Sequence, residues 1–277
     1  MSVWEAFVLG LVQGLAEFLP ISSSGHLALL QHFFGIEGER ILTFTILLHA
    51  GTLVAVFVAY RAIIWALVKE LGALIKDLLT GRGLRPNANE NRKLGLMILV
   101  ASIPAAIVGI LFDDYEERFF TSVTVIGVCL IVTGSILFAA ERAGSGKRTL
   151  ERANFRNAFA VGVFQAVALL PGISRSGSTV VGGLFLGFTR ELAVQFAFLI
   201  SIPSVLGAVI LEAPDALKSG LAGEMMLPAA VGVSVAAVAG YAAIKAMIRI
   251  VTGKKLFVFS VYTWILGAFV VIYTIIR

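Results

Sequence analysis

Four side chains in this 277-residue sequence have types and settings that could do chemistry: Glu17, Ser23, His26 and Arg175. All lie in or beside apolar runs, where an ionisable group is expensive to place and so marks a functional candidate. Arg175 sits in the segment Pro-Gly-Ile-Ser-Arg-Ser-Gly and needs an anion. Two readings serve it: an internal ion pair with Glu17, or bidentate clamping of phosphate oxygens helped by the Ser174, Ser176 and Thr179 hydroxyls. Gln13 and Glu17 are four residues apart and share one helix face. Glu17 either serves a reaction centre, caps the turn at 22–24 or sits at the lipid headgroups. His26 directly follows those serines, at the start of a second helical piece and beside an anion-binding turn. Glu5 reads as a solvated interfacial residue. His32 and His49 read as structural, His49 as a helix–helix hydrogen-bond partner. Cys129, the single cysteine, reads as a small apolar side chain within a span, which excludes a disulfide framework.

The elements that must hold these groups occur twice. Residues 10–27, GLVQGLAEFLPISSSGHL, reappear in altered form at 162–179 as GVFQAVALLPGISRSGST. At an offset of 152, the pairs Gly10/Gly162, Gln13/Gln165, Ala16/Ala168, Ile21/Ile173, Ser22/Ser174, Ser24/Ser176 and Gly25/Gly177 are identical. Glu17 and His26 align with Leu169 and Ser178, while Arg175 aligns with Ser23. A duplicated scaffold therefore carries an asymmetric site. Pro20 and Pro171 cannot donate helical hydrogen bonds, and the residues before them resist the α region. The Ser/Gly turns that follow favour new helix amino termini. Freed backbone groups at membrane depth must be buried in protein or line a wet cavity. Two amino termini meeting near mid-membrane would present N–H donors and positive dipole ends, which suits a phosphate group.

With 58% hydrophobic and 14% charged residues and a mean hydropathy of +0.95, the chain reads as an all-α polytopic membrane protein. The expectation is one integral domain over 1–277, with repeat halves of approximately 1–140 and 141–277. Spans of about 20 residues are expected at 41–60, 94–113, 120–140, 191–211, 227–246 and 257–276. The amino-terminal run carries Glu5, Gln13 and Glu17 and does not read as a cleavable signal. Basic loops at 61–93, 141–156 and 245–255 belong in the cytoplasm, and 37–40, 113–118 and 212–224 outside. Threading the spans then makes 157–189 a re-entrant helix–turn–helix entered from the cytoplasm, and 1–36 its counterpart from outside. The expected fold is six full transmembrane helices plus two re-entrant segments in an inverted-topology repeat. Segment 62–79 is a cytoplasmic interfacial helix or an extension of the preceding span, and 81–93 a solvated loop. The net charge of +5 lies in short loops without aromatic interleaving, which argues against a nucleic-acid partner. Small residues at Ala229, Ala230, Gly232, Ala236, Ala237 and Gly240 favour close helix contact, within the chain or across a homodimer.

At these motifs the chain resembles the undecaprenyl-diphosphatases, the bacitracin-resistance membrane phosphatases. Gln13 to His26 match that family's (Glu/Gln)-Gly-x-x-Glu-Phe-Leu-Pro-x-Ser-Ser-x-Gly-His throughout, and Pro171 to Thr179 match Pro-Gly-x-Ser-Arg-Ser-Gly-x-Thr. The resemblance extends over essentially the whole chain. It implies hydrolysis of undecaprenyl diphosphate to undecaprenyl phosphate, the carrier lipid for cell-wall polymers. It also implies a plasma-membrane location, a site open to the external side and a divalent metal requirement. Gln13 stands where the family often has glutamate, which leaves one carboxylate for a cation. On this reading Arg175, the half-helix amino termini and Ser22, Ser24, Gly25, Ser174, Ser176, Gly177 and Thr179 hold the diphosphate. Glu17, with Gln13, positions Mg²⁺ or Ca²⁺, since hard cations prefer oxygen ligands. His26 acts as nucleophile or as general acid–base, with Ser23 a rival nucleophile that His26 or Glu17 activates. A lipid-phosphate flippase or anion-coupled transporter is the alternative, because inverted repeats with broken helices also build carriers.

Overall fold

The structure, a computed structural model, describes residues 1–34, 39–144, 146–218 and 226–276, with the backbone alone for 32–33, 39–43, 112–121 and 212–218. The described residues form eleven α-helices and no strand. They are α1 (Val3–Phe18), α2 (Ser23–Phe34), α3 (Glu39–Ala59), α4 (Arg61–Leu79), α5 (Glu90–Thr121), α6 (Val123–Ala143), α7 (Phe155–Val167), α8 (Arg175–Phe185), α9 (Arg190–Lys218), α10 (Met226–Thr252) and α11 (Phe257–Ile276). Polar caps set several starts. Ser2 and Glu5 form a capping box on α1, Asn154 and Asn157 form one on α7, and Asn89 caps α5. Glu5, expected as a merely solvated residue, thus closes the first turn of α1.

Among the described residues five stretches are long and apolar enough to cross a membrane: Glu90–Leu111, Val123–Ala143, Arg190–Leu211, Met226–Thr252 and Phe257–Ile276. Phe44–Ala59 with Arg61–Leu79 makes a sixth candidate, bent by 89° between its parts. That bend separates α4 from α3, so 62–79 is no straight extension of the preceding span. One side of α4 docks on α5, where the buried Arg92 guanidinium donates to Glu70 Oε1 at 2.5 Å and Asp77 Oδ2 at 2.6 Å. The other side exposes Trp65, Val68, Leu71, Ile75 and Leu78. This two-faced pattern is that of a helix lying in a membrane interface. Gly72 has open space around its Cβ position within this helix, so Gly72→Ala is expected to stabilise the fold by about 0.5–1 kcal/mol in thermal melting.

The helices overrun the expected loops. In backbone, 113–118 continues α5 and 212–218 continues α9, the latter through Pro214. The acidic side chains of 113–118 and most of 212–224, the side chain of His32 and residues 35–38 lie outside the described residues.

Packing repeats the sequence duplication. In the first half α1 crosses α10 of the second, and α7 of the second crosses α5 of the first. Gly10 and Gly162, partners at the 152 offset, mediate the two crossings: an added Cβ would lie 2.4 Å from Gly232 O and 2.2 Å from Ala101 O. Between them α6 and α11 cross with Gly127 against Gly267, backbone to backbone. Small residues at such crossings let helices approach closely, which drives association where lipid offers no hydrophobic gain. The small-residue stripe of α10 is used within the chain, with Gly232 against Phe44 and Leu48 and Gly240 against Phe18 and Ala55. The main core gathers Phe18, Met97, Phe188, Phe196, Phe198, Leu199 and Met247.

Candidate active site

Each repeat breaks near its proline, by different local means. α1 runs to Phe18, and Leu19 leaves it in an extended conformation ahead of Pro20. Ser22 then adopts φ +70°, a left-handed conformation that a serine enters at a cost of about 1 kcal/mol. α7 ends at Val167, short of Pro171, and 168–173 follow in tight turns such as Ala168 N–H to Gln165 O and Ile173 N–H to Leu170 O. Gly172 has φ +92°, and an added Cβ would meet Ile126 O at 2.6 Å, so only glycine fits there. Ser174 caps α8 by accepting Gly177 N–H at 3.1 Å, and its own N–H donates to Thr133 Oγ1 of α6.

The two breaks dock on each other reciprocally. A Cβ on Gly25 would sit 3.3 Å from Gly172 Cα, and one on Gly177 would sit 3.1 Å from Pro20 Cβ. Positions 20 and 172 are repeat partners, as are 25 and 177, so each turn meets the other in the same way. Ser176 Oγ also donates to Leu19 O at 3.2 Å. Ser23 and Arg175, at equivalent positions of the two repeats, both reach the Glu17 carboxylate of α1.

Glu17 is the hub of the polar network and is buried. Its Oε1 accepts from Arg175 Nη2, the ion pair that the sequence allowed as one reading. Its Oε2 accepts from Ser23 Oγ at 2.6 Å and from Gln13 Nε2 at 3.1 Å. His49 Nε2 lies 3.8 Å from the same oxygen, while His49 Nδ1 bonds Thr45 O at 2.8 Å. His49 therefore makes its helix–helix contact with Glu17 itself and joins the site. Gln13 Oε1 is buried and has no hydrogen-bond partner among the described residues. The repeat partner of Gln13 turns elsewhere: Gln165 Nε2 donates to Ser204 Oγ, with Leu169 in place of a carboxylate.

His26 belongs to a second network. Its Nδ1 bonds Ser22 O at 2.8 Å and its Nε2 bonds the Tyr262 hydroxyl of α11 at 2.7 Å. A carbonyl only accepts, so Nδ1 carries the proton and Nε2 accepts from Tyr262 in the neutral ring. Both nitrogens are thus engaged away from Glu17 and Arg175. Of the expected binding hydroxyls, Ser22 accepts Gly25 N–H at 3.3 Å and lies 3.2 Å from Ser24 Oγ. Thr179 Oγ1 donates to Arg175 O at 2.8 Å. These groups shape the two turns from within. Thr133, His49 and Tyr262 were not among the candidates. His49 carried the signal of an ionisable group in a span, whereas no spacing links residue 262 to residue 26.

Among the described residues no three His, Cys, Asp or Glu side chains cluster as a closed metal cage. The arrangement can instead receive an anion at two helix amino termini and a guanidinium, next to a hydroxyl bonded to a carboxylate.

The family model described as "Bacitracin resistance protein BacA" matches residues 6–269. Undecaprenyl-diphosphatase of Alkaliphilus metalliredigens (strain QYMF) is 48% identical over 275 residues, covering 99% of this chain and all of that relative. The protein of the same name from Carboxydothermus hydrogenoformans (strain ATCC BAA-161 / DSM 6008 / Z-2901) is 42% identical over 274 residues, covering 98% of this chain and 97% of that relative. One from Methanosphaera stadtmanae (strain ATCC 43021 / DSM 3091 / JCM 11832 / MCB-3) is 37% identical over 279 residues.

Proposed function

This chain belongs to the bacitracin resistance protein BacA family, and we infer that it is a multi-pass membrane phosphatase that converts undecaprenyl diphosphate to undecaprenyl phosphate. The relatives' shared name supports hydrolysis over a carrier function. The observation that carries the mechanism is the 2.6 Å bond from Ser23 Oγ to Glu17 Oε2, beside Arg175.

Ser23 is the nucleophile in this reading. Arriving diphosphate draws the Arg175 guanidinium from Glu17 onto phosphate oxygens, where it and the α2 and α8 amino termini stabilise developing charge. Glu17, released from the ion pair, takes the Ser23 proton as Oγ attacks the terminal phosphorus. The bond from that phosphorus to the bridging oxygen breaks, and undecaprenyl phosphate leaves with the electron pair. Glu17 passes that proton to the departing undecaprenyl phosphate, and the freed carboxylate then deprotonates a water that attacks the phosphoserine. The bond from phosphorus to Ser23 Oγ breaks, Oγ takes the proton back from Glu17, and inorganic phosphate leaves. His26, with both ring nitrogens engaged, holds the turn that presents Ser23. The donor set suits a hard divalent cation: the unpartnered Gln13 Oε1 and the Glu17 carboxylate would hold Mg²⁺ or Ca²⁺ together with phosphate oxygens. Such an ion supplies charge neutralisation at the diphosphate.

The charge pattern of the loops supports a site opening to the external side of the plasma membrane, with α1–α2 and α7–α8 as oppositely oriented re-entrant pairs of an inverted repeat. The reciprocal docking of the two breaks supports the same division into halves near residue 140.

Purified protein in detergent is expected to release phosphate from undecaprenyl diphosphate, to lose that activity with EDTA, and to yield phosphoserine at position 23 after an acid quench. Bound lipid with no phosphate release, where no sealed compartment exists, would favour the carrier. A phosphohistidine at residue 26 would move the nucleophile there.

A further inference from the structure

We propose that Tyr262 is a positioning residue of the phosphatase site, acting through His26 and Ser22 on the Ser23 nucleophile; the inference rests on the reading of Ser23 given above. The Tyr262 hydroxyl and the His26 ring are bonded at 2.7 Å, and the two rings stack with centroids 5.7 Å apart and planes 10° apart. By donating to Nε2, the hydroxyl obliges the imidazole to keep its proton on Nδ1. That proton is the one given to Ser22 O at 2.8 Å, where the His26 backbone N–H also donates at 3.2 Å. Two donors from one residue thus hold a single carbonyl. The carbonyl belongs to Ser22, the buried residue in the left-handed region, and Ser23 follows it directly. Rotation of the Ser22 peptide would swing Ser23 Oγ off Glu17.

The far end of this chain of contacts is rigid. α11 is held on α6 by the Gly127–Gly267 crossing, and Trp264 Nε1 donates to Ser135 Oγ at 3.1 Å two residues from Tyr262. Tyr262 is 43% exposed. The second half of the chain therefore supplies two functions to the first: Arg175 for the anion, and Tyr262 for the geometry of the nucleophile.

Tyr262→Phe removes the hydroxyl and keeps the stacked ring. It is expected to lower kcat about 10- to 100-fold with KM within about twofold, as misplacement of a reacting group does. Glycine enters the left-handed region freely, so in a Ser22→Gly background the same change is expected to cost less than about threefold. With three histidines in the chain, ¹⁵N-histidine spectra in detergent resolve the tautomer directly. His26 is expected as the fixed Nδ1–H form in the parent and as a mixture in Tyr262→Phe. A kcat within about twofold of the parent, an equal loss in both backgrounds, or an unchanged tautomer would each overturn the proposal. Absence of phosphoserine in the parent would count against Ser23 as nucleophile, while tautomer and cycle would still report on Tyr262.

Discussion

Arg175→Ala is expected to lower kcat/KM for undecaprenyl diphosphate by about 10³- to 10⁴-fold, measured as phosphate release in detergent. Arg175 provides the guanidinium that can meet equatorial phosphate oxygens, and it is held at the first turn of α8 where the helix dipole adds to its charge. Lysine keeps the charge but not the planar fork, so Arg175→Lys is expected to recover only part of the loss. Arg175 also neutralises Glu17, whose side chain is 6% exposed. Stranding that carboxylate is expected to cost about 3–5 kcal/mol. The Glu17→Ala/Arg175→Ala double variant removes both charges, and is expected to melt above Arg175→Ala while remaining inactive. Melting and turnover thereby separate the structural role of the pair from the catalytic one. Full turnover in Arg175→Ala would defeat the anion-clamp assignment outright.

Valine at Gly10 or Gly162 is expected to remove folded protein from the preparation, at a cost of at least about 3 kcal/mol. The obstruction at each site is a backbone carbonyl of the crossing helix, 2.4 Å and 2.2 Å from the added Cβ, and no rotamer change relieves it. The helices must separate, and the polar residues Gln13 on α1 and Gln165 on α7 would lose their burial with them. Yield of monodisperse protein on size exclusion, set against the parent and Gly72→Ala, measures the effect. Normal yield and melting in both valine variants would mean that the crossings are looser than the structure has them.

Much of the site could be read from residue types. Glu17 and Arg175 declared themselves as charges in apolar runs, and the prolines with their Ser/Gly turns located both breaks. The duplication exposed the asymmetry between Ser23 and Arg175. The Tyr262–His26 bond was invisible because it joins α2 to α11 across most of the sequence, and a tyrosine in an apolar helix gives no sign of which way its hydroxyl points. The sequence ends a span at residue 60 but does not decide whether 62–79 extends it, since no proline or glycine marks Tyr60; the docking of Glu70 and Asp77 on Arg92 from α5 draws α4 aside. Helix α7 stops at Val167, short of Pro171, while α5 runs through Pro104: a proline disfavours a helix without fixing where it ends. The acidic stretches 113–118 and 212–218 continue their helices in backbone, because charge changes which medium a segment prefers but does not unwind a helix.

Because α1 packs on α10, α1 leaves the ribosome long before its partner does. α1 ends at Phe18 and α10 begins at Met226, so everything between them must be made before the Gly10–Gly232 crossing can close. Glu17 meets Gln13 on its own helix and Ser23 on the next, but its ion-pair partner Arg175 lies on α8 and is made much later. Assembly of the reaction centre is therefore a late event in biosynthesis. A truncated or stalled chain retains membrane helices but has no assembled site.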